Sequence, residues 1–97
     1  MITLEEVKNI LLQNMEDLEK RFLVKELAIF GSYVRNEQKK ESDIDILVEF
    51  KEPIGFLKFI ELENYLSDLL GVKVDLVTKR ALKPIMGKQI LQESVKI

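Results

Sequence analysis

The chain lacks the residues on which several common kinds of catalytic site depend. Its 97 residues include no cysteine, no histidine and no tryptophan. Zinc sites of the usual kind, Ser-His-Asp triads and cysteine nucleophiles are therefore excluded. The absence of cysteine also excludes a disulfide framework and favours a cytoplasmic location. Any catalysis must depend on carboxylates, Lys, Arg, Ser, Tyr or a bound hard metal such as Mg²⁺ or Mn²⁺.

Long apolar runs and a strong charge imbalance are also missing. No apolar segment approaches the ~18 residues of a membrane span, and the N-terminus has no signal-peptide pattern. The net charge is −2, whereas a general nucleic-acid-binding protein usually has a basic face. We therefore expect no membrane association and no direct nucleic-acid binding. The length, with 46% apolar and 33% charged residues, predicts a single domain over residues 1–97.

Hydrophobic periodicity and turn residues predict the element order α-β-(short α)-β-α-β-α. Thr3 and Glu6 form a capping box, from which a helix is expected to continue to about Lys20. The other predicted elements are strands over 24–30, 43–50 and 72–78, a helical turn over 32–36 with Ser32 as its N-cap, helices over 56–70 and 84–92, and an edge strand or frayed tail over 94–97. The expected fold class is α/β, a small domain with a mixed β-sheet of three to four strands and flanking helices.

Three of the five aspartates lie at or inside apolar strand segments. Asp43 and Asp45 begin the second predicted strand, and side chains at i and i+2 of a strand point to the same side. Two carboxylates held in this way repel each other unless a cation lies between them. If the second and third strands are neighbours, Asp75 can meet both acids, which gives a hard-cation site with room for two Mg²⁺ ions. The alternative is a solvent-facing strand start with Asp75 as an outward side chain.

Gly31 and Ser32 end the first predicted strand. A glycine after a strand lets the backbone turn and approach a ligand closely. A helical turn that begins at Ser32 would present free N–H groups to an anion such as the phosphates of a nucleotide. Arg35 lies one turn further on the same side and could neutralise phosphate charge. An ordinary turn with a surface arginine is the alternative interpretation.

These segments together resemble a known family. GSYVRN over 31–36, SDIDILV over 42–48 and VDLV over 74–77 resemble the DNA polymerase β-like nucleotidyltransferases, and within them the stand-alone minimal, MntA-like nucleotidyltransferases. The resemblance covers nearly the whole chain. It assigns residues as follows: Gly31 and Ser32 to the phosphate-holding pair, Asp43 and Asp45 to the paired metal ligands, Asp75 to the third acid and Arg35 to the family arginine. Asn36 stands where the family usually has Gly.

The resemblance implies a reaction and a partner. It implies a Mg²⁺-dependent nucleotidyltransferase that uses ATP or another NTP, with two ions and with Asp75 as a ligand or base. In-line attack of an acceptor hydroxyl on the α-phosphate would release pyrophosphate. Minimal nucleotidyltransferases are commonly paired with a HEPN-domain toxin, which they neutralise by transferring AMP to one of its tyrosines.

Two other functions stay open at this point. The chain could be a binding module that neutralises its partner by occlusion, an alternative suggested by Asn36 and by the small size. It could also transfer nucleotides to RNA or to a small aminoglycoside-like acceptor, although it has no second domain and no basic stripe. The sequence contains no motif that reads the nucleotide base, and it fixes neither the acceptor residue nor the oligomeric state.

Overall fold

The computed structural model describes residues 2–35, 37, 43–82, 90 and 92–97. Its elements in chain order are α1 Leu4–Gln13, α2 Met15–Phe22, β1 Val24–Phe30, a 3₁₀ turn Gly31–Tyr33, β2 Ile44–Phe50, α3 Phe56–Leu70, β3 Val74–Thr78, α4 Lys79–Leu82 and β4 Val95–Lys96. The strands form one four-stranded sheet in the order β3-β2-β1-β4. β1 pairs antiparallel with β2 and β4, and β2 pairs parallel with β3, so the predicted mixed α/β sheet is confirmed.

A single hydrophobic core lies between the helices and one face of the sheet. Alternate residues of the strands point into it, including Leu27 and Ile29 of β1 and Ile44 and Ile46 of β2, all with no exposed surface. The helices contribute Val7, Leu11, Leu18, Phe22, Leu62, Leu66 and Leu70 to the same cluster. Burial of this apolar area is the main force that holds the helices on the sheet. No helix in the described part of the chain is both long and apolar enough to cross a bilayer.

The first helix is shorter than predicted because the chain breaks at Asn14. The capping box is present, since Thr3 Oγ1 accepts from the Glu6 amide at 3.1 Å and the Glu6 carboxylate accepts from the Thr3 amide at 3.2 Å. At Asn14 the side-chain Nδ2 donates to the Ile10 carbonyl at 2.8 Å. Asparagine competes in this way with the backbone bonds of a helix interior. A separate helix, α2, then begins at Met15, so the expectation of one helix to Lys20 was wrong.

Other predicted boundaries differ less. Helix α3 spans Phe56–Leu70 as predicted, and Gly71 ends it with φ 72° in the left-handed region. The third strand begins at Val74 rather than at 72. The side of α3 that faces the core carries Leu62, Leu66 and Leu70, which are buried, whereas Phe56 and Ile60 are exposed.

The exposed edge of the sheet at β3 is closed by side chains of α3. The Glu63 carboxylate accepts from the Leu76 amide at 3.0 Å, and Ser67 Oγ accepts from the Val74 amide at 3.0 Å. Ser67 also donates to the Glu63 carbonyl at 2.9 Å. Unpaired strand edges invite pairing with another chain, and these bonds satisfy the edge from within the domain. The predicted helix over 84–92 lies largely outside the described residues, as do Asn36 and the segment 38–42.

Candidate functional site

The end of β1 and the starts of β2 and β3 meet at one end of the sheet, which forms a second edge distinct from the lateral one at β3. β1 runs antiparallel to β2, so the end of β1 lies beside the start of β2, with Phe30 opposite Asp45. β3 runs parallel to β2, with Asp45 opposite Asp75. The sequence places Asp45 and Asp75 thirty residues apart, and the register makes them neighbours on adjacent strands. Gly31 and Ser32, which follow Phe30, lie at the same edge.

The two aspartates point away from the core. Ile44 and Ile46, on either side of Asp45, are fully buried, as Val74 and Leu76 nearly are on either side of Asp75. Because side chains alternate along a strand, Asp45 and Asp75 share the opposite face. Asp45 is half-buried and Asp75 is exposed. Asp43 lies just before β2, two residues from Asp45, and its side chain is 44% exposed.

The acids influence one another electrostatically. Burial raises the pKa of the Asp45 carboxyl, and the negative charges of Asp75 and Asp43 raise it further. The Arg35 guanidinium acts in the opposite direction and lowers this pKa. Like charges that share a site favour the protonated form of one of them, whereas a nearby cation favours the ionised form. The pKa of Asp45 therefore depends on the charges of Asp43, Asp75 and Arg35 together.

Gly31 is packed directly against the Asp45 carboxylate. Its φ is +77°, in the left-handed region that favours glycine. A Cβ at this position would lie 2.1 Å from Asp45 Oδ2 and 3.0 Å from its Cγ. Only a residue without a side chain fits here, because the turn backbone and the carboxylate touch. The sequence predicted only that Gly31 lets the backbone turn, and the structure adds this close approach to an acid.

The turn after β1 differs from the prediction for Ser32. The 3₁₀ turn begins at Gly31, so Ser32 lies inside it and is not its N-cap, and the cap position is Phe30. The amides of Val34 and Arg35 both donate to the Gly31 carbonyl at 3.2 Å, and the Glu37 amide donates to the Ser32 carbonyl at 2.9 Å. The positive φ of Gly31 starts the turn one residue earlier than the serine would.

Charged side chains that the sequence did not single out surround the acids. Glu37 Oε2 lies 3.5 Å from Arg35 Nε, and Glu93 Oε2 lies 3.9 Å from Arg35 Nη1. Lys73 Nζ lies 3.9 Å from Asp43 Oδ2. The position of Lys73, two residues before Asp75, could have indicated its place at this edge. Glu93 gave no such signal, because β4 brings it there from the far end of the chain.

The donors at this edge suit a hard divalent cation. Carboxylate oxygens are the ligands that Mg²⁺ and Mn²⁺ prefer, and Asp45 and Asp75 are register partners that face the same side. Among the described residues, no group of three acids is close enough to form a complete ligand set. This agrees with the usual mode of Mg²⁺ binding, in which one or two carboxylates are joined by water and by substrate phosphates. The acids at this edge therefore suit a divalent cation that completes its coordination with oxygens from outside the protein.

Comparison with known proteins gives consistent matches. The family model described as "Nucleotidyltransferase domain" matches residues 8–97. The protein adenylyltransferase MntA of Thermococcus cleftensis is 54% identical over 95 residues, which cover 98% of this chain and 96% of the relative. A solved structure, described provisionally as a minimal nucleotidyltransferase, superposes with a TM-score of 0.82 at 33% identity and covers 99% of this chain and 97% of its own. A toxin–antitoxin crystal structure with AMP-PNP superposes with a TM-score of 0.75 at 26% identity, over 92% of this chain and 70% of that one.

Proposed function

Because the chain belongs to the nucleotidyltransferase domain family, we propose that it is a Mg²⁺-dependent protein adenylyltransferase that transfers AMP from ATP to a tyrosine of a HEPN toxin partner. It would act as the antitoxin of the pair. The observation that carries this proposal is the convergence of Gly31, Asp45 and Asp75 at one sheet edge. Support for the acceptor comes from the name of the 54% identical relative and from the likeness to a toxin–antitoxin structure.

The proposed metal ligands are Asp43, Asp45 and Asp75, of which one or two would hold an ion at a time, together with water and phosphate oxygens. Mg²⁺, when bound there, supplies the charge neutralisation that phosphoryl transfer requires. The raised pKa of Asp45 is consistent with this role, because a carboxylate crowded by other acids gains most from a neighbouring cation. Asp43 lies just before β2 and is partly exposed, and Asp75 lies on β3 and is exposed. Both carboxylates therefore retain access to water and to a ligand.

The nucleotide would bind at the turn after β1. Gly31 and Ser32 offer backbone at close range to the acids, since Gly31 already touches Asp45. Arg35 supplies a guanidinium, which can bind two phosphate oxygens at once. We assign these three residues to the triphosphate of ATP.

At the α-phosphorus, the transfer forms one P–O bond and breaks one. The acceptor hydroxyl oxygen attacks the α-phosphorus of ATP, and the bond from that phosphorus to the bridging oxygen of pyrophosphate breaks. The proton of the hydroxyl passes to a carboxylate, for which the exposed Asp75 is our candidate. A positioned base and a neutralised leaving group suffice for this chemistry, so a chain without histidine can perform it.

Label transfer from α-labelled ATP to a cognate HEPN protein tests the proposal. We expect labelling that requires Mg²⁺ and is lost in the Asp43→Asn/Asp45→Asn variant. The control is Asp17→Asn/Asp68→Asn, which removes the same charge from two exposed helical positions and should leave labelling unchanged. Full labelling by the Asp43→Asn/Asp45→Asn variant would refute the assignment of the acids. If that variant fails to label but still neutralises the toxin, the chain acts by occlusion.

A further inference from the structure

We infer that Glu93 is a positioning residue of the proposed nucleotide site, which holds the Arg35 guanidinium in the absence of nucleotide and competes with the triphosphate for it. This inference rests on the proposed function, since it names a regulator of the same phosphate site. Glu93 belongs to the C-terminal segment, which the family resemblance does not assign to the site.

Arg35 lies between two carboxylates. Its Nε is 3.5 Å from Glu37 Oε2 and its Nη1 is 3.9 Å from Glu93 Oε2. Both distances are long for direct hydrogen bonds, so these are loose ion pairs. The side chains of Arg35 and Glu93 are 52% and 45% exposed. Water therefore screens the pair, and a phosphate can displace the carboxylate at small cost.

The sheet places Glu93 beside Arg35. Val95 of β4 is opposite Ile29 of β1, and the Ile97 amide donates to the Leu27 carbonyl at 2.9 Å. Glu93 ends a helical segment two residues before β4, and the Ser94 amide donates to the Ile90 carbonyl at 2.9 Å. The pairing of β4 with β1 fixes the end of this helical segment beside the turn after β1, where Glu93 forms its ion pair with Arg35, whereas Glu37 reaches Arg35 from two residues away along the chain.

The ion pair between Glu93 and Arg35 affects how much positive charge the site offers to a nucleotide. A triphosphate must enter a region that already contains Asp43, Asp45 and Asp75, whose charge Arg35 offsets in part at Asp45 and Lys73 in part at Asp43. When Glu93 shares the guanidinium, less positive charge faces the phosphates. The competition favours ligands of high negative charge, which can displace Glu93, and it assists the departure of pyrophosphate when the carboxylate returns to Arg35.

The test measures the dissociation constant of ATP in the presence of Mg²⁺, by calorimetry and without an acceptor protein. Glu93→Gln should tighten binding about two- to five-fold, the range that corresponds to an exposed ion pair. The matched control is Glu61→Gln, because Glu61 forms an ion pair with Arg21 at 4.0 Å with similar exposure, on α2 and α3. This control should leave the dissociation constant unchanged. Glu93→Asp, which keeps the charge, should stay near the wild type.

A double-mutant cycle shows whether Glu93 acts through Arg35. In the Arg35→Gln background, Glu93→Gln should have no further effect on the affinity, because no guanidinium remains to be released. Tightening that persists in this background would reveal general charge repulsion and would overturn the inference, as would unchanged or weaker binding by Glu93→Gln alone. Absence of ATP binding by the wild type would instead overturn the proposed function, and this inference with it.

Discussion

Replacement of Gly31 by alanine tests the close approach between the turn and Asp45. The added Cβ would lie 2.1 Å from Asp45 Oδ2, far inside any van der Waals contact, and would adopt a φ of +77°. Two separate penalties follow. One is the left-handed backbone, and the other is the overlap with the carboxylate.

Each of the two penalties has an approximate magnitude. A residue with a side chain in the left-handed region costs about 1–2 kcal/mol. Overpacking adds about 1–3 kcal/mol when neighbours are forced to shift. If the Asp45 carboxylate rotates away instead, the protein avoids much of the second penalty but loses the geometry of its acid site. A displacement of this kind can reduce a rate about 100-fold.

Gly71→Ala is the matched control. Gly71 has almost the same φ, +72°, but a Cβ there would meet nothing within 4 Å. Gly71→Ala should therefore lose only the backbone term, about 1–2 kcal/mol, and should keep its transferase activity. Denaturant unfolding and label transfer from ATP, measured on both variants, give the comparison. Gly31→Ala should lose more in stability, in activity or in both.

The reasoning fails if Gly31→Ala is as active as the wild type and no less stable than Gly71→Ala. That result would mean that the turn and Asp45 do not touch in solution. A loss of stability equal to that of Gly71→Ala together with loss of transfer would show that Asp45 has moved to make room for the methyl group.

Three further predictions concern single side chains. Because the folded-state pKa of Asp45 is raised, the native state binds its proton more tightly than the unfolded state, and stability falls as the pH rises from the ordinary Asp pKa through the raised one. Asp45→Asn should therefore raise the stability against denaturant at pH 7, should not raise it at a pH below the ordinary Asp pKa, and should abolish transfer. An equal gain in stability at pH 7 and at the low pH would contradict this prediction. Ser67→Ala should lower the free energy of unfolding by about 1 kcal/mol and speed hydrogen exchange at the Val74 amide. Exchange at the Leu76 amide, which donates to Glu63, should change little. Equal acceleration at both amides would indicate general opening of the edge instead. Thr3→Ala should cost about 0.5–2 kcal/mol in denaturant unfolding through loss of the capping bond, whereas Thr3→Ser should retain most of the stability.

Local signals predicted most of the elements. The capping box at Thr3, the Gly71 end of α3 and the apolar segment of β1 each depend on residues within one or two turns of each other, and the structure confirms all three. The errors arose where two local preferences competed. The helical apolar pattern continues on both sides of Asn14, but the helix is interrupted there, where the Asn14 side chain and amide both donate to the Ile10 carbonyl.

The candidate site was predictable in its chemistry and not in its contacts. Residue types alone pointed to Asp43, Asp45 and Asp75 as hard-metal ligands, and their roles stay a prediction. The contact between Gly31 and Asp45 depends on the pairing of β1 with β2. The ion pair between Arg35 and Glu93 depends on the pairing of β1 with β4, which follows Glu93 in the chain.

The sequence by itself determined which chemistry is available: carboxylates without histidine or cysteine, a glycine turn after a strand, and helices and strands in a fixed order. Only the tertiary structure decided which of these groups are neighbours. The physical reason is that periodicity and capping act over a few residues, whereas strand order and register depend on how distant apolar segments share one core. In this protein that register brings residues 31, 45 and 75 to one end of a sheet, and the pairing of β4 with β1 fixes the segment that carries residue 93 nearby.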